Sequence, residues 1–261
     1  MIFVVGRIAD LLILVFLAVV TVYLMSIADR WNPELRQIAG VVAIPELIGR
    51  ATELGRPVHF TTGMGTGSLS QTETGPQIMA GLSVLMYIAQ LCARNGIRLI
   101  VSIGQPDTIP ILEEYIRDAY TAEGIPLPDM ADTLRFHSRE QFSFVSAVTG
   151  IMRRDRPAAN IIIGPIWAES SQLVCSGAQV GAMQMIATAR TAHIPWFAIL
   201  SDYTLLGEEI YAAGAQISKD TKALNSLASQ DVGKILAIVL IILGVLLIMA
   251  GNTLITDLLG I

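Results

Sequence analysis

The sequence predicts an α/β fold: a parallel-sheet domain of about five strand–helix units inserted between two transmembrane helices. Three features carry that prediction. Short apolar, β-branched runs alternate with longer stretches of helical spacing through the middle of the chain, and such alternation argues for a parallel sheet, because parallel neighbours need a crossover connection. Runs such as Ile161 to Ile163 are continuously apolar, as expected of strands buried on both faces. Finally, Leu11 to Ala28 and Ile235 to Thr256 contain no Asp, Glu, Lys or Arg. A hydrocarbon core of about 30 Å takes roughly 20 apolar helical residues, so both runs are long enough to cross it.

In chain order, residues 8–28 form the first expected transmembrane helix, residues 29–55 a linker with a helical segment, residues 56–231 the α/β domain and residues 234–256 the second transmembrane helix. The first strand of the domain is Pro57 to Thr61. A helix follows from Gln77 to Asn95, with apolar residues at three-and-four spacing, closed by Gly96. Arg98 to Ile103 is the second strand, and the helix from Thr108 to Glu123 is closed by Gly124. Thr133 to His137 is the third strand; the helix after it runs from Ser138 to Arg153, and its last cations suit the negative end of the helix dipole. Ala159 to Ile163 is the fourth strand, followed by a helix from Ser170 to Thr188. Ile194 to Leu200 (I-P-W-F-A-I-L) reads as the fifth strand, with a helix from Leu206 to Ala215.

Of 261 residues, 53% are hydrophobic and only 15% charged, an apolar excess that the two terminal runs largely explain. Without them about 200 residues remain, enough for one well-buried domain. The net charge of −5 and the lack of a basic cluster beyond Arg153, Arg154 and Arg156 argue against a nucleic-acid partner, which would need cations to neutralise phosphates. Cys92 and Cys175 lie in apolar helical patterns and are expected as buried thiols. The three histidines lack the paired spacing of a metal site, and His59, inside a strand, is expected to be a satisfied core residue. Arg30, Arg36, Lys219, Lys222 and Lys234 flank the terminal runs on their central side, so the positive-inside rule predicts a two-pass protein of the cell membrane with a cytoplasmic α/β domain and both termini outside; Arg7 pulls the other way. Ser26-Ile27-Ala28 also has the small-x-small pattern of a cleavable signal; a retained signal anchor is the expectation.

Ligands of open α/β sheets bind beyond the carboxyl ends of the strands. The loop after the first strand is the richest there: Gly63, Gly65, Thr66, Gly67 and Ser68 lie within Thr61-Thr62-Gly63-Met64-Gly65-Thr66-Gly67-Ser68, and glycines let backbone amides approach an anion. The spacing is G-x-G-x-G-S rather than G-x-G-x-x-G, and no Lys makes it a phosphate loop; a nucleotide is therefore an unsupported cofactor, and a tight structural turn is the other reading. Glu169 and Ser170 follow the fourth strand, where they also suit the first turn of a helix. Asp202, after the expected fifth strand, pairs with Glu208 as a possible acid/base or cation set. There is no G-x-S-x-G nucleophile elbow, so the balance leans away from an enzyme.

Together, the first apolar run, R-P-V-H-F-T-T-G-M-G at Arg56 to Gly65, A-G-L-S-V-L at Ala80 to Leu85, G-E-E-I-Y-A-A-G-A at Gly207 to Ala215 and the final apolar run resemble an uncharacterised prokaryotic membrane family, known as a domain of unknown function. The resemblance covers nearly the whole chain and implies a Rossmann-like domain between two spans. It brings no established activity, cofactor or catalytic residue. Two functions remain open. One is an oligomeric scaffold or structural subunit of a larger membrane assembly, in which small residues such as Ala18, Gly244, Ala250 and Gly251 pack helices and the stretch from Gly177 to Ala187 supplies a domain contact. Its expected partners are the bilayer, further copies of the chain and other membrane proteins. The other is a membrane-tethered, Rossmann-like sensor or enzyme that binds a nucleotide or another small ligand.

Overall fold

The computed structural model describes residues 8–27, 36–63, 68–167, 170–218 and 221–250. The chain divides into two compact units, a central one from Arg36 to Ser218 and one that combines the two chain ends. The central unit opens with helix α2 (Ala39–Leu54), after α1 (Ile8–Ser26) of the other unit, and continues with β1 (Val58–Thr61), α3 (Gly75–Arg94), β2 (Leu99–Ile103), a 3-10 turn at Pro106–Thr108, α4 (Ile109–Ala122), α5 (Met130–Thr133) and β3 (Leu134–Phe136). It then runs through α6 (Gln141–Asp155), β4 (Ala159–Ile163), α7 (Ser170–Gln179), β5 (Met183–Thr188), a 3-10 turn at Thr191–His193, α8 (Ile194–Leu200), β6 (Tyr203–Leu206) and α9 (Glu209–Ser218).

Among the described residues, six strands form one sheet in the order β3-β2-β1-β4-β5-β6, with every pairing parallel. Alternation along the strands divides the core. Val58, Phe60, Val101, Ile161 and Met185 pack beneath α2, α3, α4 and α9, whereas Ile162 and Ile186 pack with Phe144 and Val148 of α6, Leu173 and Val174 of α7 and Phe197 of α8. Helices thus cover both faces, which explains the fully buried apolar strands. At the amino ends of the strands, the Arg56 guanidinium donates to the carbonyls of Arg156, Pro157 and Val180, and Arg98 and Arg135 share Asp132 and Asp155. These bonds tie the connections that enter β1, β4 and β5.

Several readings of the sequence are corrected here. The sheet has six strands rather than about five. Ile194 to Leu200 is α8 and not a strand: Pro195 occupies its first turn, where a missing N–H is tolerated, and only Phe197 is buried. A short apolar run cannot be divided between helix and strand by periodicity alone. The expected helix from Ser170 to Thr188 is two elements, α7 and β5, separated at Gly181, whose φ of 73° is left-handed and ends the helix as glycine does readily. The stretch from Gly177 to Ala187 is consequently not a helical docking face. Leu206, expected to start a helix, ends β6, and α9 begins at Glu209. Cys92 is buried, and burial pushes its thiol up to about 12; Cys175 is exposed on α7 rather than buried.

In the other unit, α1 packs against α10 (Thr221–Met249), with Leu17 above Gly233. Leu12, Leu14, Val19 and Val22 of α1 and Ile235, Ile241, Leu246 and Met249 of α10 are exposed. Among the described residues, two helices are long and apolar enough to cross a membrane: Leu224–Met249, whose most apolar stretch is exposed, and α3, which is more than half buried and packs on the sheet. The apolar part of α1, Leu11–Ser26, is shorter; residue 28 and residues 251–256 of the two expected spans lie outside the described residues.

Candidate functional site

The strand order reverses between β1 and β4: the chain leaves β1 for α3 on one face of the sheet and leaves β4 for α7 on the other. Just beyond their carboxyl ends the two strands remain in close contact. Gly63 has a φ of 78°, and a Cβ there would stand 2.6 Å from the Ile166 side chain; a Cβ on Gly164 would strike the Thr62 carbonyl. Glycine is required at Gly164 by that approach of two backbones. The Gly63 amide donates to Thr61 Oγ1 (3.1 Å), and Thr62 Oγ1 donates to Gln105 Oε1 (3.1 Å) in the loop after β2.

Asp107, in the 3-10 turn after β2, holds the far end of the glycine-rich loop. Its Oδ2 accepts from Ser68 Oγ (2.7 Å) and from the Leu69 amide (3.0 Å). Partial burial opposes ionisation of this carboxyl, but the bonds from Ser68 and Leu69 and the charge of Arg139 outweigh it and hold the group below its ordinary range. Across the switch point, Arg190 follows β5. Its guanidinium lies 3.4 Å from the Trp167 ring centroid, a cation–π contact, and donates from Nη2 to Glu73 Oε1 (2.9 Å) ahead of α3. Gln77 Nε2 in turn donates to the Glu73 carbonyl (3.1 Å). Elements that follow β1, β4 and β5 therefore meet through Gln77, Glu73, Arg190 and Trp167.

The expected site residues divide. Gly63, Ser68 and Ser170 lie at the carboxyl edge of the sheet, Ser170 as the first residue of α7. Gly65, Thr66, Gly67 and Glu169 fall outside the described residues. Asp202 is at the opposite edge: because residues 194–200 are a helix, it precedes a strand instead of following one, and its Oδ2 accepts from the Gln184 amide at 2.7 Å. Glu208 lies beyond the other end of β6, so these two carboxylates do not form a pair. Sequence reasoning did not single out Arg190, Trp167 or Gln77, and Asp107, four residues past the second strand, stands too far from its end to be read as closing it. Arg190 was hidden by the helix expected to run through β5.

His59 is wholly buried in β1, and burial is the main cause that brings its imidazole down to about 4. Its Nδ1 lies 2.8 Å from Asn160 Oδ1 and its Nε2 2.9 Å from Ser102 Oγ. Asn160 Nδ2 donates to Gln184 Oε1 (2.7 Å), Gln184 Nε2 donates to the Ala182 carbonyl (2.9 Å), and His137 Nε2 lies 3.3 Å from Ser102 Oγ. This polar ladder crosses β2, β1, β4 and β5 on the face covered by α6 and α7. With both ring nitrogens engaged by side chains of the core, His59 is a structural residue.

Among protein families, the model described as a domain of unknown function (DUF6754) matches residues 1–259. No curated protein and no solved structure matches the chain.

Proposed function

We propose that this chain, which belongs to the DUF6754 family over nearly its whole length, is a membrane-anchored protein whose central α/β unit binds a small ligand at the carboxyl edge of its sheet. The observation that carries this reading is the strand order β3-β2-β1-β4-β5-β6. It is the order of doubly wound, Rossmann-like dinucleotide-binding sheets, and such folds take ligands in the crevice where the order reverses. Close packing supports it: a Cβ on Gly81 of α3 would strike the Ile163 carbonyl, and intimate helix–strand contact of this kind accompanies that fold. The anchors are α10 with its exposed apolar surface and the apolar first helix. Lys and Arg on the central side of both runs favour a cytoplasmic α/β unit with both termini outside.

The experiment is a thermal-shift series on the full chain in mild detergent, with nucleotides, dinucleotides and small phosphorylated or carboxylated metabolites. At least one class is expected to raise Tm saturably, because a ligand that binds only the folded state stabilises it by mass action. Asp107→Ala, which frees Ser68 and Leu69, is expected to weaken that shift. A flat response to every class sinks the ligand-binding reading.

A second reading, an oligomeric scaffold in a larger membrane assembly, is favoured by Phe142 on α6 and by Trp196 and Ile199 on α8, all strongly exposed; apolar groups of this size at a surface often mark contacts. A chain that runs as a monomer in mild detergent, and gives no cross-linked product in native membranes, excludes it.

A further inference from the structure

Helices α6, α7 and α8 cover one face of the sheet and share a core there with Ile162 of β4 and Ile186 of β5. In this layer α7 packs against both α6 and α8. Charged residues occur only in the last turn of α6, as Arg153, Arg154 and Asp155; α7 (S-S-Q-L-V-C-S-G-A-Q) and α8 (I-P-W-F-A-I-L) have none. On the other face α4 alone carries Glu113, Glu114, Arg117 and Asp118, the ordinary state of a solvated helix. Every residue of α8 is apolar, yet only Phe197 is buried. Trp196 is 65% and Ile199 82% exposed; three residues apart, they lie on one side of the helix. Phe142, in the first turn of α6, is 75% exposed. A helix that is apolar all round is normally enclosed, so the outer side of α8 lacks a cover.

The charge around this layer is mainly of one sign. From Leu134, where β3 begins, to Leu200, where α8 ends, the chain holds six arginines against three acidic residues, although its net charge is −5. Two of the three acids are engaged within the unit: Glu140 accepts from the Phe142 and Ser143 amides at the start of α6, and Asp155 lies between Arg98 and Arg135. The third, Glu169, falls outside the described residues. Arg139, just before α6, and Arg153, Arg154 and Arg156, at its far end, are all exposed. The layer is thus uncharged and partly apolar, with cations at both ends of α6.

We propose that the outer surface of α6, α7 and α8 docks reversibly on an anionic bilayer surface, with Phe142, Trp196 and Ile199 entering the interfacial region and the four exposed arginines meeting lipid phosphates. The proposal rests on the membrane-anchored reading above, and it assigns to lipid the exposed groups that a scaffold would use for protein contacts. Charge complementarity favours lipid: a cytoplasmic leaflet is anionic, and each arginine close to it strengthens binding about five-fold. Trp196 suits the boundary between headgroups and acyl chains, where an amphipathic ring is at home. Residues 219–220 alone separate α9 from α10, and a unit joined covalently to a membrane helix meets the bilayer at high effective concentration, so a small apolar face suffices. A second copy docked through the same face would set arginines against arginines, and like charges at a contact are costly.

The test places a nitroxide on the full chain in nanodiscs, at Ala198→Cys of α8 or, for comparison, at Glu113→Cys of α4, each in a Cys175→Ser background; Cys92 is buried, and both labelled positions are exposed. The discs contain phosphatidylcholine alone or phosphatidylcholine with phosphatidylglycerol, and collision with a water-soluble nickel complex reports immersion. In anionic discs the α8 label is expected to collide about five-fold less often, as for a group carried from water into the interfacial region, while the α4 label is unchanged. Discs of phosphatidylcholine alone, or about 1 M salt, should restore most of the collisions, as should Arg153→Gln combined with Arg154→Gln. Should Ala198→Cys fail to fold, Gln172→Cys, exposed on α7, takes its place. Equal exposure of both labels in anionic discs overturns the proposal, and so does protection of the α4 label instead. Protection of the α8 label that is indifferent to lipid charge, rises with protein concentration and brings the labels of two chains within dipolar range identifies a second copy as the cover, and likewise overturns it. A chain that does not enter nanodiscs refutes the anchors and the docking together, whereas an anchored chain with an exposed α8 label refutes the docking alone.

Discussion

His59, Ser102, Asn160 and Gln184 form a hydrogen-bonded chain whose direction is set at one end. The Ala182 carbonyl can only accept, so Gln184 Nε2 donates to it and Gln184 Oε1 accepts from Asn160 Nδ2; Asn160 Oδ1 then accepts from His59 Nδ1–H. A neutral His59 consequently accepts at Nε2 from the Ser102 hydroxyl. Burial holds His59 down to about 4, and half-buried His137 is lowered as well, by burial and then by the charges of Arg135 and Arg154. Both histidines resist protonation more in the folded state than in the unfolded one, where the ordinary value is 6.5. Their contribution is therefore fully present above pH 6.5 and is lost as pH falls toward 4; for His59 it is on the order of 3 kcal/mol. Unfolding of the full chain in denaturant between pH 7 and pH 4 is expected to show this loss, and His59→Gln to flatten it. Asn160→Leu strands both His59 Nδ1–H and Gln184 Oε1, and should cost about 2–4 kcal/mol, read as a lower denaturation midpoint at pH 7. The sequence marked His59 as a core residue from its strand alone. Its partners stand on strands far along the chain, and only sheet register brings them together: His59 lies opposite Asn160 and Asn160 opposite Gln184.

At the scale of elements, the sequence identified β1 to β4 and the helices that follow the first three of them to within a few residues, because long helices and β-branched runs bounded by Gly and Pro carry strong local signals. The failures fall between residues 170 and 206, where elements are short and apolar in both conformations. There tertiary contact decides: Met183 to Thr188 gains β4 as a partner, while Ile194 to Leu200 caps the smaller core through Phe197. Two glycines test this packing. A Cβ on Gly177 would strike the Gln184 side chain and stand 2.9 Å from Asn160 Nδ2, whereas nothing lies within 4 Å of one on Gly150. Gly177→Ala is expected to destabilise by about 1–3 kcal/mol through overpacking. Gly150→Ala, in the interior of α6, should stabilise by about 0.5–1 kcal/mol, because alanine is the better helix former. Denaturation midpoints of the two variants are expected to move in opposite directions.

At the scale of the whole molecule, the anchored reading makes a prediction through the cysteines. Cys175 is exposed and Cys92 buried, so a membrane-impermeant maleimide is expected to modify Cys175 alone, and only after cells are permeabilised, if the α/β unit is cytoplasmic. Modification of intact cells would reverse the topology, and extraction by alkaline carbonate would refute the anchors. The sequence by itself determined the α/β class, the parallel sheet and the apolar ends, since each follows from local periodicity and from the length of uncharged runs. Only the tertiary structure decided the strand order, the placement of Asp202 and Glu208 beyond opposite ends of β6, and the meeting of Arg190, Trp167 and Glu73 at the switch point. The physical reason is that pattern reports which residues are buried, whereas a binding edge depends on which strand is hydrogen-bonded to which. The misassignment of α8 as a strand is enough to move Asp202 from the carboxyl edge of the sheet to the amino edge.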